Sequence, residues 1–282
     1  MVDHVSVLDA FPAADSKQEV LRHWHQIGGP VPVALVQAMR FGHEANFMGK
    51  WADDANGNLI EADFAREGLT VHPACRHAEG HSGTASVWVD TQTGSRTIAY
   101  ARTSAPGFVP GDLDALNLAS FDLLHLDGWG GEVALAVAQR VRQLGGRIVL
   151  DAGSWKPQMD QLIPLVDLMI CSQQFFTSVT ECGEVDQAGP ALLALGAPAV
   201  ILTRGAAGST FMDGSQTLHA PGVSIEAVDT TGAGDVFSGA MLHALAADRS
   251  WPECLRFANA AAAHKCRAYG NRQALPSLAD LA

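Results

Sequence analysis

The 282-residue chain is poor in charge and in aromatic side chains: Asp, Glu, Lys and Arg make up 17% of it and Phe, Trp and Tyr 7%. No apolar run approaches the roughly 20 residues of a membrane-spanning helix, and the first 21 residues hold no apolar core of signal-peptide length. A cytoplasmic protein with no membrane partner is therefore expected. None of the five cysteines (Cys75, Cys171, Cys182, Cys254, Cys266) forms a C-x-x-C pair, so reduced thiols are expected rather than a disulfide framework. Positive charge is scarce as well. Eighteen basic residues face 30 acidic ones, a net charge of −12, and even a tight basic grouping such as Lys265, Arg267 and Arg272 holds only three residues. Such a field repels a phosphate backbone, which excludes nucleic acid as the expected partner. Apolar residues, by contrast, make up 48% of the chain. That is ample for one large α/β domain with a small appendage and argues against disorder.

No repeat or low-complexity tract is present, but two textures are. Thr84-Ala-Ser-Val-Trp-Val-Asp90, a Gly-containing turn at 91–94, and Arg96-Thr-Ile-Ala-Tyr100 predict a β-hairpin within a strand-rich stretch from about 71 to 103. From Phe121 onward, short apolar runs alternate with helical segments. The runs end at Leu126, Leu150, Cys171 and Thr203, and a helix is expected over 133–144, closed by Gly145-Gly146. That alternation predicts βαβ units and a parallel sheet, in which ligands bind beyond the carboxyl ends of the strands.

The most informative segment is Ala227-Val-Asp-Thr-Thr-Gly-Ala-Gly-Asp-Val-Phe237, followed by an apolar helical stretch to Ala246. Small residues entering a helix leave backbone N–H groups unpaired beside the positive end of the helix dipole, an anion site. A carboxylate at Asp235 beside such amides can take a proton from a hydroxyl while the amides hold charge on a transferred phosphoryl group. An Asp in a Gly-rich turn is otherwise an ordinary N-cap.

The string D-T-x-G-A-G-D-x-F resembles the C-terminal signature of the ribokinase-like, phosphofructokinase-B type carbohydrate kinases. Gly94-Ser-Arg-Thr-Ile98, the strand ending His125-Leu-Asp127, and Arg256-Phe-Ala-Asn259 through Lys265-Cys266 are most similar to ketohexokinase-like members. The resemblance covers the chain from about Asp3 onward. It implies a doubly wound, mostly parallel sheet flanked by helices, a single kinase domain over 1–282, with a β-sheet lid from about 4–35 and 70–103 and a nucleotide-binding part over 121–282. It implies Asp235 as catalytic base and Gly232, Ala233 and Gly234 as the anion hole. Asp3, Gly28, Gly29 and Arg102 are implied to bind substrate, and Thr203, Gly205, Gly208 and Asn259 to bind nucleotide. ATP is the implied cofactor, with Mg²⁺ carried by its phosphates and a monovalent cation open. A sugar is the implied substrate, and a homodimer through exposed lid positions such as Val87 and Val89 is expected. Asn259 also reads as a helix cap ahead of Ala260–Ala263.

Three departures bear on the substrate. Family members open with an apolar strand leading to the Asp matched by Asp3; here Asp3 is the third residue, so the first strand is expected to be truncated, or its place taken by another segment. The double glycine is followed by Pro30-Val-Pro-Val33, without the Asn amide that holds a sugar hydroxyl. The N-x-x-E turn reads Ser172-Gln-Gln-Phe175, without the carboxylate. A nucleoside kinase on the same fold, or a non-catalytic sugar or nucleotide sensor, is the competing reading. Two groups with metal-binding side chains, His72/Cys75/His77/His81 and His23/His25, read as ordinary loop and strand positions, since structural zinc sites usually draw ligand pairs from two separated segments.

Overall fold

The computed structural model describes residues 1–180 and 188–281; Cys182 lies outside them. It contains two compact units. The first comprises Met1–Gly107, Ser224–Gly239 and Ala261–Ala282, the second Phe108–Val223 and Ala240–Ala260.

In the first unit, strands β1 (Val2–Leu8), β2 (Arg22–Ile27), β7 (Thr84–Asp90) and β8 (Arg96–Ala101) form a sheet of order β2-β1-β7-β8. β1 runs antiparallel to β2 and parallel to β7, and β7 and β8 form the expected hairpin. Val5, Val7, Ala85, Val87 and Val89 make the apolar face, closed by Trp24 and Tyr269; alternation puts His4, Ser6, Ser86 and Trp88 on the other. This corrects the basis of the expected dimer. Val87 and Val89 are 1% and 0% exposed, consumed by the chain's own core.

The four-stranded sheet is drawn from 2–27 and 84–101, narrower than 4–35 and 70–103. Gly29, at φ 105°, and the Pro at the first helical position start helix α1 (Pro30–Arg40), as proline's fixed φ favours. Residues 70–71 and 76–77 belong elsewhere. As β5 (Thr70–Val71) and β6 (Arg76–His77) they pair in parallel with β3 (Asn46–Phe47) and β4 (Trp51–Ala52), on either side of helix α2 (Ala55–Glu67).

The second unit is built on a six-stranded sheet whose strands lie side by side in chain order. Strands β9 (Leu123–Leu126), β10 (Arg147–Ala152), β11 (Leu168–Ser172) and β12 (Val200–Thr203) are parallel, while β13 (Ser209–Met212) and β14 (Thr217–Ala220) return antiparallel. The near-continuous apolar runs of β10–β12 fit strands buried on both faces. Between them lie helices α3 (Gly131–Gln143), α4 (Met159–Leu162), α5 (Gln173–Val179) and α6 (Ala188–Leu193). Their apolar residues, among them Val137, Val141, Leu162, Phe176 and Leu192, join Ile148, Leu150, Met169 and Val200 in the core. Gly145, at φ 80°, follows the Leu144 C-cap of α3, as its sequence predicts. Among the described residues β9 is an edge strand, and no segment before Leu123 joins this sheet. Val2–Leu8 lies in the other sheet.

Two helices complete the chain, α7 (Ala233–Ala246) and α8 (Trp251–Lys265).

Candidate active site

The signature segment turns at Gly232, φ 79°, and enters α7 at Ala233, so Asp235 is the third helical residue. The Ala233 amide donates to the Thr230 carbonyl at 3.3 Å. First-turn amides of a helix have no carbonyl four residues back. Those of Gly232 and Gly234 therefore stand at the dipole's positive end, Gly234 on the exposed surface and Asp235 half-buried. The turn is held on both sides. The Thr230 amide and hydroxyl donate to the Gly94 carbonyl at 3.2 and 3.1 Å, tying it to the β7–β8 loop. Asp229 accepts from the Thr231 amide at 2.8 Å and the Gly270 amide at 3.1 Å.

Beneath the turn, Lys265 and Asp229 are both 0% exposed, their charged groups 3.3 Å apart, and Lys265 Nζ also donates to the Asp229 carbonyl at 2.7 Å. Burial pulls the Lys265 pKa down, and the Asp229 carboxylate opposes that pull.

Asp3, 6% exposed, lies near this turn. Burial pushes its carboxyl up to about 6; the charge of Asp235 adds to the rise, and the N-terminus, Gln26 and Arg272 oppose it. Gly28 is where Asp3 rests, since a Cβ there would lie 2.1 Å from Asp3 Oδ2. A Cβ on Gly232 would lie 3.6 Å from Asn271, 3.8 Å from Asp235 Oδ2 and 3.9 Å from Val33. The first unit thus gathers Asp3, Gly28, Gly232 and Asp235, with Gly29 opening α1 beside them. Arg102 is exposed one residue past β8, and the guanidinium acting on Asp3 is that of Arg272.

In the second unit, Thr203 ends β12 and its hydroxyl donates to the Cys171 carbonyl at 3.2 Å. The turn from Gly205 to Gly208 packs on the chain after β14. At Gly208, φ 86°, a Cβ would fall 2.2 Å from the Ala220 carbonyl oxygen. Asn259 reaches the same segment, its Nδ2 donating to the carbonyls of Ala220 and Pro221 at 3.0 and 3.1 Å. This corrects the reading of Asn259 as a helix cap. α8 starts eight residues earlier, where the Ser250 amide donates to Glu253 at 3.0 Å; Ser250-Trp-Pro-Glu253 is the capping-box signal that marks the start. Ser172, likewise, accepts from the Phe175 amide at 3.1 Å as the cap of α5.

Several residues of the site escaped sequence reasoning. Asn271 donates from Nδ2 to the Ile27 carbonyl at 2.8 Å and from its amide to Gln26 at 3.1 Å. Arg272 pairs with buried Asp63 at 2.9 Å. Asn271 Oδ1, Gln26 Nε2 and Thr231 Oγ1 are buried without a protein partner among the described residues, a rare state in a native fold. A cavity of about 620 Å³ opens along β2, lined by Trp24, Gln26, Asn271 and Arg272 among others, and not by Asp3 or Asp235. In the His72–His81 segment, Cys75 is buried with its thiol pushed up to about 11 by desolvation, and His81 is bonded to Ser104 at 2.7 Å.

An amide-rich helix start with a half-buried carboxylate, in a chain with this sheet order, has the fold of the ribokinase-type kinases. Ribokinase of Arabidopsis thaliana, solved with ribose and ATP, superposes with a TM-score of 0.82 at 22% identity, over 99% of this chain and 94% of that one. That likeness shows the fold. Sequence shows the family: residues 1–278 match the pfkB family carbohydrate kinase profile, and the chain belongs to that family and is a carbohydrate kinase. It is 28% identical over 258 residues to an uncharacterized sugar kinase of Archaeoglobus fulgidus, covering 86% of this chain and 98% of that protein. It is 24% identical over 285 residues to mouse ketohexokinase, covering 96% and 94%.

Proposed function

We propose that the chain transfers the terminal phosphoryl group of ATP to a hydroxyl of a small sugar or sugar derivative, with Asp235 as base. The hydroxyl oxygen bonds to phosphorus, the bond to the ADP oxygen breaks, and the hydroxyl proton passes to the Asp235 carboxylate. Charge on the transferred group falls to the amides of Gly232 and Gly234; the Ala233 amide, expected to share that role, is engaged by the Thr230 carbonyl instead. The observation that carries this reading is the half-buried Asp235 on the first turn of α7, close enough to Asp3 for their charges to interact.

Asp3, seated on Gly28, is the proposed acceptor for sugar hydroxyls, since one carboxylate takes hydrogen bonds from two vicinal hydroxyls. Gly29 and Arg102 complete that assignment. In the second unit Thr203, Gly205, Gly208 and Asn259 are assigned to nucleotide, supported by the close backbone approach at Gly208. Mg²⁺ carried by ATP suits a chain whose Ser172 turn supplies a hydroxyl cap in place of a carboxylate, because Mg²⁺ keeps much of its own water. Among the described residues Cys75, Cys171, Cys254 and Cys266 are free thiols, which supports a cytoplasmic setting.

A dimer through the four-stranded sheet remains proposed on different residues. β8 is exposed along its whole length, with Ile98 and Tyr100 at 45% and 55%. Light scattering at working concentration checks it, and a monomer contradicts it.

Coupled-assay turnover of ATP with ribose, fructose, deoxygluconate and adenosine tests the function. Turnover with a sugar supports it, turnover with adenosine alone moves the chain to the nucleoside kinases, and a thermal shift without turnover marks a sensor.

A further inference from the structure

The face of the four-stranded sheet opposite its apolar core carries three histidines from two strands. The antiparallel register sets His4 of β1 directly across from His25 of β2, and Ser6 across from His23. Side chains alternate with period two, so all four stand on one face. The rings of His4 and His25 have centroids 4.6 Å apart, those of His23 and His25 5.2 Å. One ring nitrogen from each histidine lies within 4.8 Å of the other two.

A tetrahedral ion with metal–nitrogen bonds of about 2.0–2.1 Å needs its nitrogens about 3.3 Å apart. Ring rotations on an exposed sheet face close the remaining gap. His23 and His25 are exposed and His4 is half-buried, so an ion has access. Ser6 Oγ lies 3.3 Å from His23 Nδ1, a contact of the type that orients metal-bound imidazoles. No carboxylate belongs to the set.

We propose that His4, His23 and His25 form a site for a divalent transition ion of the zinc class, with a fourth position open to water or another donor. Imidazole sets favour zinc, nickel, copper and cobalt, whereas magnesium takes oxygen ligands. The site is therefore distinct from the magnesium that travels with ATP. Its position gives it a mechanical consequence. His4 follows Asp3 on β1, and His25 on β2 lies three residues before Gly28, which follows that strand, so an ion here staples β1 to β2 beside both residues.

The test uses the full chain, stripped with a chelator and titrated with Co²⁺ and then Zn²⁺. One Co²⁺ per chain is expected, with the strong visible absorption of four-coordinate cobalt, bleached by Zn²⁺, and a rise in Tm on Zn²⁺ addition. His4→Gln and His25→Gln each weaken binding by more than about tenfold and remove the absorption; Ser6→Ala weakens it by about tenfold with the spectrum retained. His77→Gln leaves both unchanged. Circular dichroism confirms that each variant is folded. Cobalt binding that survives His25→Gln, that disappears in His77→Gln, or that shows only the weak absorption of six-coordinate cobalt overturns the proposal.

Discussion

Lys265 Nζ and the Asp229 carboxylate lie 3.3 Å apart with both side chains wholly excluded from solvent, and the ammonium also donates to the carbonyl of Asp229 itself. A charge held there fixes the residue that opens the Gly232 turn, and it occupies oxygens that a free cation would otherwise seek. Lys265→Met leaves the Asp229 carboxylate buried and unpaired, a loss expected at about 3–5 kcal/mol. Denaturant unfolding measures it. The same arrangement predicts that turnover in potassium salts equals turnover in tetramethylammonium salts; strong activation by potassium counts against it.

Gly28 and Asp3 form a second coupled pair. Gly28→Ala forces the Asp3 carboxylate from its seat and is expected to raise KM for the sugar roughly 10- to 100-fold, the equivalent of a lost charge-assisted hydrogen bond. Because the folded Asp3 carboxyl titrates near 6 against an ordinary 3.8, its contribution to stability is full below pH 3.8 and is lost as pH rises to about 6. Asp3→Asn is therefore expected to be more stable than the parent at pH 7, by up to about 3 kcal/mol, while binding sugar less well. A parent KM that falls as pH rises through 6, and a variant KM that stays flat, is the matching kinetic signature.

His125 acts in the opposite direction. Burial pulls its imidazole down to about 4 from 6.5, and the Val149 backbone opposes that pull only weakly. Its contribution to stability is present above pH 6.5 and is lost as pH falls to about 4, about 3 kcal/mol across that window. A His125→Leu variant is expected to show a flatter stability profile between those values. An unchanged acid limb contradicts the assignment.

Asn259→Ala strands the carbonyls of Ala220 and Pro221. A stability loss of about 1–3 kcal/mol is expected, with KM for ATP raised and KM for sugar unchanged, as separate titrations of the two substrates would show.

Much of this was legible in the sequence because it rests on local signals. The apolar runs ending at Leu126, Leu150, Cys171 and Thr203 are the strands β9–β12, and the small residues before Asp235 begin α7 as written. What stayed hidden depends on contacts between distant segments. Residues 269–273 carry no motif, yet they bring Asn271 to Gln26 and Arg272 to Asp63 across more than 200 positions. A polar residue ahead of an alanine run resembles a helix start at Asn259, but that run lies inside α8, whose start is set by the capping signal at Ser250. Val87 and Val89 alternate as surface strand residues do, and only the packing of Trp24 and Tyr269 reveals them as core. His23-x-His25 gave no hint of His4, since only the strand register brings the three together.

The most direct test is the turnover of Asp235→Asn beside the parent, with a sugar that the parent phosphorylates. A side chain of equal size that cannot take a proton is expected to lower kcat by about 10²–10⁴-fold while ATP and sugar still raise the Tm. A variant that retains the parent's kcat contradicts Asp235 as the base.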